Sequence, residues 1–305
     1  MPLVIGQDEA LKKPLRRSDQ LAYFKFPDQL ELPHATLNGH EPGGYFLETH
    51  YHERDQFQVA IDGSFTIGRH LLTPYSVHFT RAYTPYGPLV SQGQAFSFMV
   101  LRAHRDPGAR RMPKSRELLR QVPDRRPWQI SQPVSFPPPE SRLASTDVLL
   151  NQVPNIKDDQ GLAVYTLVVK PNGKAKAPDP TRTDGQYLIV VKGSFWHDNK
   201  EHKAIGLVFV QPQEGPYEIH AGAEGLEALV LNYPEVRPRA AEALAPPAAV
   251  GFKKWHCILC GFDYDEALGL PNEGLPAGTR WKDVPESWEC PDCSATKSDF
   301  QMVEI

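Results

Sequence analysis

The sequence predicts a mainly β protein in three parts: two similar β domains in tandem, then a small cysteine-bearing module. Three observations point there. Thirty prolines among 305 residues, with few long helical periodicities, favour short strands broken by turns. The pattern Q-x6-G-S-F occurs twice, from Gln56 to Phe65 and again from Gln186 to Phe195, 130 residues later. All four cysteines lie between Cys257 and Cys293.

Composition narrows the class. A hydrophobic content of 40% and a charged content of 23% describe a soluble globular chain able to bury a core in each of several domains. A formal net charge of −4 is too small to imply a nucleic-acid or membrane partner, and neither is expected. The N-terminal MPLVIGQDEALKKPLRR lacks the apolar run of a signal peptide, and no stretch reaches membrane-spanning length. The expected compartment is the cytoplasm, where paired CxxC units hold metal more often than they form disulfides.

The first copy reads as the strands YFLETHYH, QFQVAID, SFTIG, SVHFT and AFSFMVLRA; the second as AVYTLVVK, QYLIVVKG, GLVFVQP and LEALVLNYP. Gly, Pro and Asp turns separate them, the pattern of a barrel or sandwich. A period near 130 residues is far above the roughly 20–50 of a solenoid, so it denotes duplicated domains. The connector from Arg102 to Pro139 carries one helical piece, SRELLRQV, and then a proline-rich run.

Within the first copy, Gly44-x5-His50-x-His52-x3-Gln56-x6-Gly63 resembles the first signature motif of the cupins, with Gln56 where that family usually has Glu. The run TPYSVHFTRAYTPYGPL is similar to the second motif, with Tyr86 at the usual metal-binding His. The resemblance implies a bicupin, a pair of jelly-roll barrels. His50, His52 and Gln56 share strand parity and so point to one side, where two imidazoles can reach a single divalent ion. A second transition metal in this barrel, held by His50, His52, Gln56 and Tyr86, is therefore one expectation, with His70, His78 and His104 as other sources of a third imidazole. The other expectation is a polar ligand pocket without metal. The same offsets in the second copy fall on Pro180 and Arg182, which makes that barrel structural or a binding surface; His197, His202 and His220 are expected at its surface or in turns.

After an Ala/Pro-rich and hence extended linker, Cys257-x2-Cys260 and Cys290-x2-Cys293 stand 29 residues apart. Four thiolates in a tetrahedron suit zinc or iron, and spacing alone leaves both open. The residues between decide it. CGFDYDEALGLPNEGLPAGTRWKDVPESWECPDC resembles a rubredoxin, and the likeness runs over about residues 253–301, with Trp255, Phe262, Tyr264, Trp281, Trp288 and Phe300 at the aromatic core positions. It implies one iron on Cys257, Cys260, Cys290 and Cys293, exchanging single electrons. Ser294 replaces the family's glycine after the fourth cysteine, at a position that favours a left-handed residue.

The expected boundaries are 1–125 for the first barrel, 126–236 for the second, degenerate one, 237–250 for the linker and 251–305 for the rubredoxin-like domain. The favoured function is an iron-binding redox protein. In it a cupin metal-dependent oxygenase or oxidoreductase acts on a small organic substrate and the fused rubredoxin relays electrons from an external reductase. The catalytic residues stay unassigned, and a homo-oligomer is compatible with the sequence. The alternative is a non-catalytic electron carrier or redox sensor whose barrels form a ligand-binding or docking platform. Charge bears on how the parts meet. Residues 102–126 carry nine Lys/Arg against three Asp/Glu, and residues 251–305 carry five against ten, so the acidic module is expected to dock near the first barrel.

Overall fold

The computed structural model describes residues 1–13, 20–26, 29–123, 125–137, 147–235 and 252–303; the linker expected at 237–250 lies outside them. The chain is mainly β, as the turn-rich composition requires. In the first domain a six-stranded sheet runs in the order Gln129–Gln132, Val77–Thr80, Gln56–Asp62, Phe96–Arg102, His34–His40, Gln20–Phe24. A four-stranded sheet, in the order Phe46–Leu47, Leu89–Ser91, Phe65–Ile67, His70–Leu72, packs against it. Ala60 and Phe98 of the larger sheet meet Phe65, Ile67, Leu72 and Leu89 of the smaller in one buried cluster.

Strand period two sets what each face does. Along Gln56–Asp62, the alternate residues Phe57 and Val59 leave the first domain and join a core shared with the second. That second domain is an eight-stranded sheet led by the long strands Thr183–His197 and Glu218–Pro234. Phe57 lies edge-on to Tyr233 at 4.9 Å between ring centroids, and Tyr187 meets Phe209 at 4.8 Å. The buried hydroxyls have partners across the boundary: Tyr187 donates to the Arg102 carbonyl at 3.0 Å and Tyr233 to the Leu101 carbonyl at 2.6 Å.

Two strands cross the boundaries drawn from sequence. Gln129–Gln132 pairs with Val77–Thr80, so the first domain extends beyond residue 125. Leu3–Ile5 pairs with Leu207–Val210 and belongs to the second domain's sheet. A sequence repeat marks where a domain's motif lies; it carries no signal for a short edge strand contributed from elsewhere. The histidines of the second copy also divide. His202, expected at the surface, is buried and stacked on Phe195 at 5.2 Å, because Lys200–Lys203 pairs with Thr183–His197 and sets those two residues opposite each other.

One core shared by two domains has a consequence for unfolding. Phe57→Ala is expected to cost about 3–5 kcal/mol, and chemical denaturation followed by tryptophan fluorescence and circular dichroism should show both β domains unfolding together. Separate transitions for the two would contradict the shared core.

Candidate metal centre

The cysteine module is a three-stranded sheet with Lys254–Cys257 in the middle, between Asp263–Asp265 and Phe300–Val303. The central strand delivers Cys257 into a tight turn, closed by the Gly261 N–H donating to the Cys257 carbonyl at 2.9 Å. The second turn is closed the same way, Ser294 to Cys290 at 2.8 Å, and Ser294 takes φ +55°. A serine thus occupies the left-handed position that the sequence marked as glycine's. The four thiol sulfurs lie within 4.8 Å of one another, with Cys257–Cys293 at 3.8 Å and Cys260–Cys290 at 3.6 Å. A tetrahedral ion with bonds near 2.3 Å needs sulfur–sulfur edges of about 3.8 Å. The four cysteines are arranged to bind one iron. All four are buried, and burial pushes the thiols of Cys260, Cys290 and Cys293 up, so a cation is what would let them share the site as thiolates.

The shell around them is aromatic, as predicted. Trp281 is its hub, with Phe300 at 4.8 Å, Trp255 and Tyr264 at 5.3 Å and Trp288 at 5.7 Å. Sequence reasoning missed Glu266, although it stands within the quoted DYDEALG run. Its nearly buried carboxylate accepts from the backbone N–H of Lys253 and Trp281 at 2.9 Å, the Trp255 indole at 3.0 Å and Arg280 at 3.1 Å. Burial works to raise its pKa; those donors outweigh it and hold it at about 2.

Both cysteine turns sit on the first domain. A Cβ on Gly261 would lie 2.5 Å from the Pro127 carbonyl, and one on Gly68 would lie 3.2 Å from that of Pro291. Arg125 donates to the Ile258 carbonyl at 2.8 Å, to that of Leu259 at 3.4 Å and to that of Tyr83 at 3.2 Å. Asp299, fully buried, accepts from Arg120 at 2.7 Å and pairs with Arg116 at 3.3 Å. Asp292 pairs with Arg69 at 3.0 Å. Tyr51, Met112 and Leu119 join the cysteine module's apolar cluster. The expected charge contrast is therefore a set of named contacts.

The His50-Tyr51-His52 stretch alternates. Tyr51 faces the cysteine module, while His50 and His52 turn into the first domain with Gln56 and Tyr86. His50 Nδ1 faces the Glu48 carbonyl at 2.9 Å, so that nitrogen carries the proton, and Nε2 accepts from the Tyr86 hydroxyl at 3.0 Å. Tyr86 accepts in turn from Gln56 Nε2 at 2.7 Å. His52 donates from Nδ1 to Asp106 at 2.6 Å, and its Nε2 accepts from Arg102 at 3.2 Å; Arg102 also donates to Gln56 Oε1.

Arg102 was not singled out from sequence, although it shares this polar face. Its guanidinium takes the inward nitrogen of His52 and the oxygen of Gln56, while a neutral phenol takes that of His50. Burial pushes the Tyr86 phenol well above its usual range, so it stays protonated. As arranged, this donor set does not fit a metal ion: the lone pairs an ion needs are used, two of them by a fixed cation. Of the other imidazoles, His78 lies beside Tyr86, at 5.4 Å between ring centroids, with its nitrogens taken by Ser131 and Thr80, and His34 lies against Arg102 at 3.4 Å; His70, beside Asp292, and His104, on Asp184, lie elsewhere. Among the described residues only the four cysteines converge as a metal-binding group.

The rubredoxin family model matches residues 254–300. Over 53 residues, 17% of this chain, the sequence is 66% identical to Rubredoxin-2 of Pseudomonas aeruginosa, covering 96% of that protein. It is 64% identical to Rubredoxin-1 of Alcanivorax borkumensis over 53 residues, 98% of that protein. The whole crystal structure of YhhW from Escherichia coli superposes on 78% of this chain with a TM-score of 0.50 at 12% identity, a likeness of fold alone. The salicylate 1,2-dioxygenase of Pseudaminobacter salicylatoxidans gives 0.49 at 9% identity, over 76% of this chain and 84% of that one. Among the described residues no helix is long and apolar enough to cross a membrane.

Two measurements follow. Burial lowers His34, His50 and His78 to about 3 and His52 to about 4. Each binds its proton more weakly folded than unfolded, where the pKa is near 6.5, so the stability of the neutral form is complete above about pH 6.5 and is lost as pH falls towards 4. His104 and His256, raised by Asp184 and Asp263, act in the opposite sense but are fewer. The urea midpoint of the β domains should fall between pH 7.5 and 5 with net proton uptake; a flat profile would contradict the buried neutral imidazoles. For the seat, Arg116→Ala with Arg120→Ala leaves Asp299 buried without a cation. It is expected to loosen the module by about 2 kcal/mol or more, read as faster tumbling of its tryptophans by fluorescence anisotropy.

Proposed function

Because the chain belongs to the rubredoxin family through residues 254–300, we propose that it is an electron-transfer protein whose iron domain works from a fixed seat on the first cupin-type domain. The observation that carries this reading is the covering of both cysteine turns, Gly261 against Pro127 and Asp292 against Arg69. Held by four thiolates with no open position, iron supplies exchange of one electron and no chemistry on a substrate. The chain's own residues do the rest. Trp281 and its ring neighbours exclude water, Glu266 ties the sheet to the loop at Trp281, and Arg125 brings a half-buried positive charge to the Cys257–Cys260 turn. A positive charge beside a thiolate-bound ion favours its more negative, reduced state. The two β domains serve as platform, and the electron comes from, or goes to, a separate redox partner.

A second reading, a metal-dependent oxygenase acting on a small molecule, has one observation in its favour. The Glu48 carbonyl and the Asp106 carboxylate orient His50 and His52 through Nδ1, the support usually given to metal-binding imidazoles. It requires Arg102 to leave His52 and Gln56.

Metal content separates the two readings. Protein made with iron in excess should be red, bleach with dithionite, hold one iron per chain and lose it in Cys290→Ser. A second tightly held transition metal, abolished by His50→Ala with His52→Ala, would sink the platform reading in favour of the oxygenase. Within the platform reading, Arg125→Gln should move the midpoint of a spectroelectrochemical titration to more negative potential. An unchanged midpoint would mean that Arg125 only seats the domain.

A further inference from the structure

A cavity of about 510 Å3 opens where the two β domains meet, beside the seat of the iron domain and apart from the His50–His52 cluster. Its charged lining is unevenly used. Of its carboxylates, Glu53 is paired with Arg110 at 2.8 Å and Asp184 with His104 at 3.0 Å. Asp55 accepts the Ala82 N–H at 2.7 Å, and burial raises its pKa to about 6, which leaves it largely ionised at neutrality with that N–H as its partner. Glu235 has a partner of its own.

The guanidiniums are used otherwise. Arg81 is paired with Asp158 at 2.6 Å. Arg54, Arg125 and Arg126 have no carboxylate partner among the described residues. Arg54 reaches only the Arg105 carbonyl at 3.5 Å, and Arg125 bonds carbonyl oxygens alone. Three planar forks thus border a space whose own negative charge is largely taken up. Such forks match the paired oxygens of carboxylate and phosphate.

We infer that this cavity is a binding site for a small oxyanion-bearing molecule, with Arg54 and Arg126 as its principal contacts and Arg125 at the wall shared with the iron domain. The volume falls within the roughly 300–1,000 Å3 of small-molecule sites, and junctions between domains are where such sites gather. The inference stands apart from how the iron domain is used, since it rests on charges in the two β domains and their connector.

The test uses the full, iron-loaded chain and isothermal titration calorimetry with two probes, succinate and inorganic phosphate, at low ionic strength. At least one should bind. Arg54→Gln and Arg126→Gln should each weaken it by about tenfold, the loss expected for one charge-assisted hydrogen bond, and Arg126→Lys by less. An unchanged visible spectrum of the iron site and an unchanged urea midpoint in each variant show that the fold is intact. Preference for succinate assigns the site to carboxylates, and preference for phosphate to phosphate-bearing molecules. No binding of either probe at 10 mM (about −2.7 kcal/mol of free energy at most), or equal affinity in Arg54→Gln/Arg126→Gln, would overturn the inference.

Discussion

A guanidinium buried to 6% exposure at the centre of the first domain is the constraint around which much of the molecule is arranged. A charge taken from water is costly unless its donors are met. Arg102 offsets much of that cost through neutral acceptors, Gln56, His52 and His34, and a carboxylate one residue removed, Asp106 behind His52, while its buried Nε–H is left without a partner. Asp106 is held in turn by the backbone N–H groups of Glu53 and Gly108, at 2.8 and 2.7 Å. Burial works to raise its pKa, and those donors with the His52 and Arg102 contacts bring it to about 2. The Arg102 carbonyl accepts from Tyr187 of the second domain, so the same residue joins the polar cluster to the shared core.

From this cluster the chain runs directly to the iron domain's seat. The strand that carries His50 and His52 inward carries Tyr51 outward, and the Tyr83 N–H bonds the His52 carbonyl at 2.7 Å. Arg125 then links the Tyr83 carbonyl to the turn that holds Cys257 and Cys260. The polar interior, the connector and the cysteine turn are therefore neighbours, joined by one backbone hydrogen bond and by the Arg125 side chain.

Seating an electron-transfer domain in this way trades access for constancy. The apolar patch of Tyr51, Met112 and Leu119 excludes water, and the buried Asp299 gives the fit its register through Arg116 and Arg120. Surface ion pairs alone are worth little. Here one partner is fully buried and apolar contacts surround it, which is why the charge contrast between the segments acts as a fixed joint. The basic run in the connector serves two surfaces at once: Arg116 and Arg120 face the iron domain, and Arg126 faces the cavity between the β domains.

The cysteine module was legible in the sequence almost entirely, because its information is local. CxxC turns, a left-handed residue after each pair and aromatics at fixed spacing all lie within fifty residues of one another. The duplication and the β class were legible for a similar reason, since period two and turn residues are properties of short stretches. The inward parity of His50, His52 and Gln56 was legible too; what faces them was not. Arg102 lies 50 residues from His52, and Arg125 lies 133 from Ile258. The edge strands Leu3–Ile5 and Gln129–Gln132, and the burial of His202, likewise depend on sheet partners chosen far along the chain. Pairing register alone brings such residues together, and register is settled by the packing of whole sheets. The sequence by itself determined the iron ligands, the β class and the polar face of the first domain. Only the tertiary structure decided that a cation of the chain's own fills that face, and that both cysteine turns are covered.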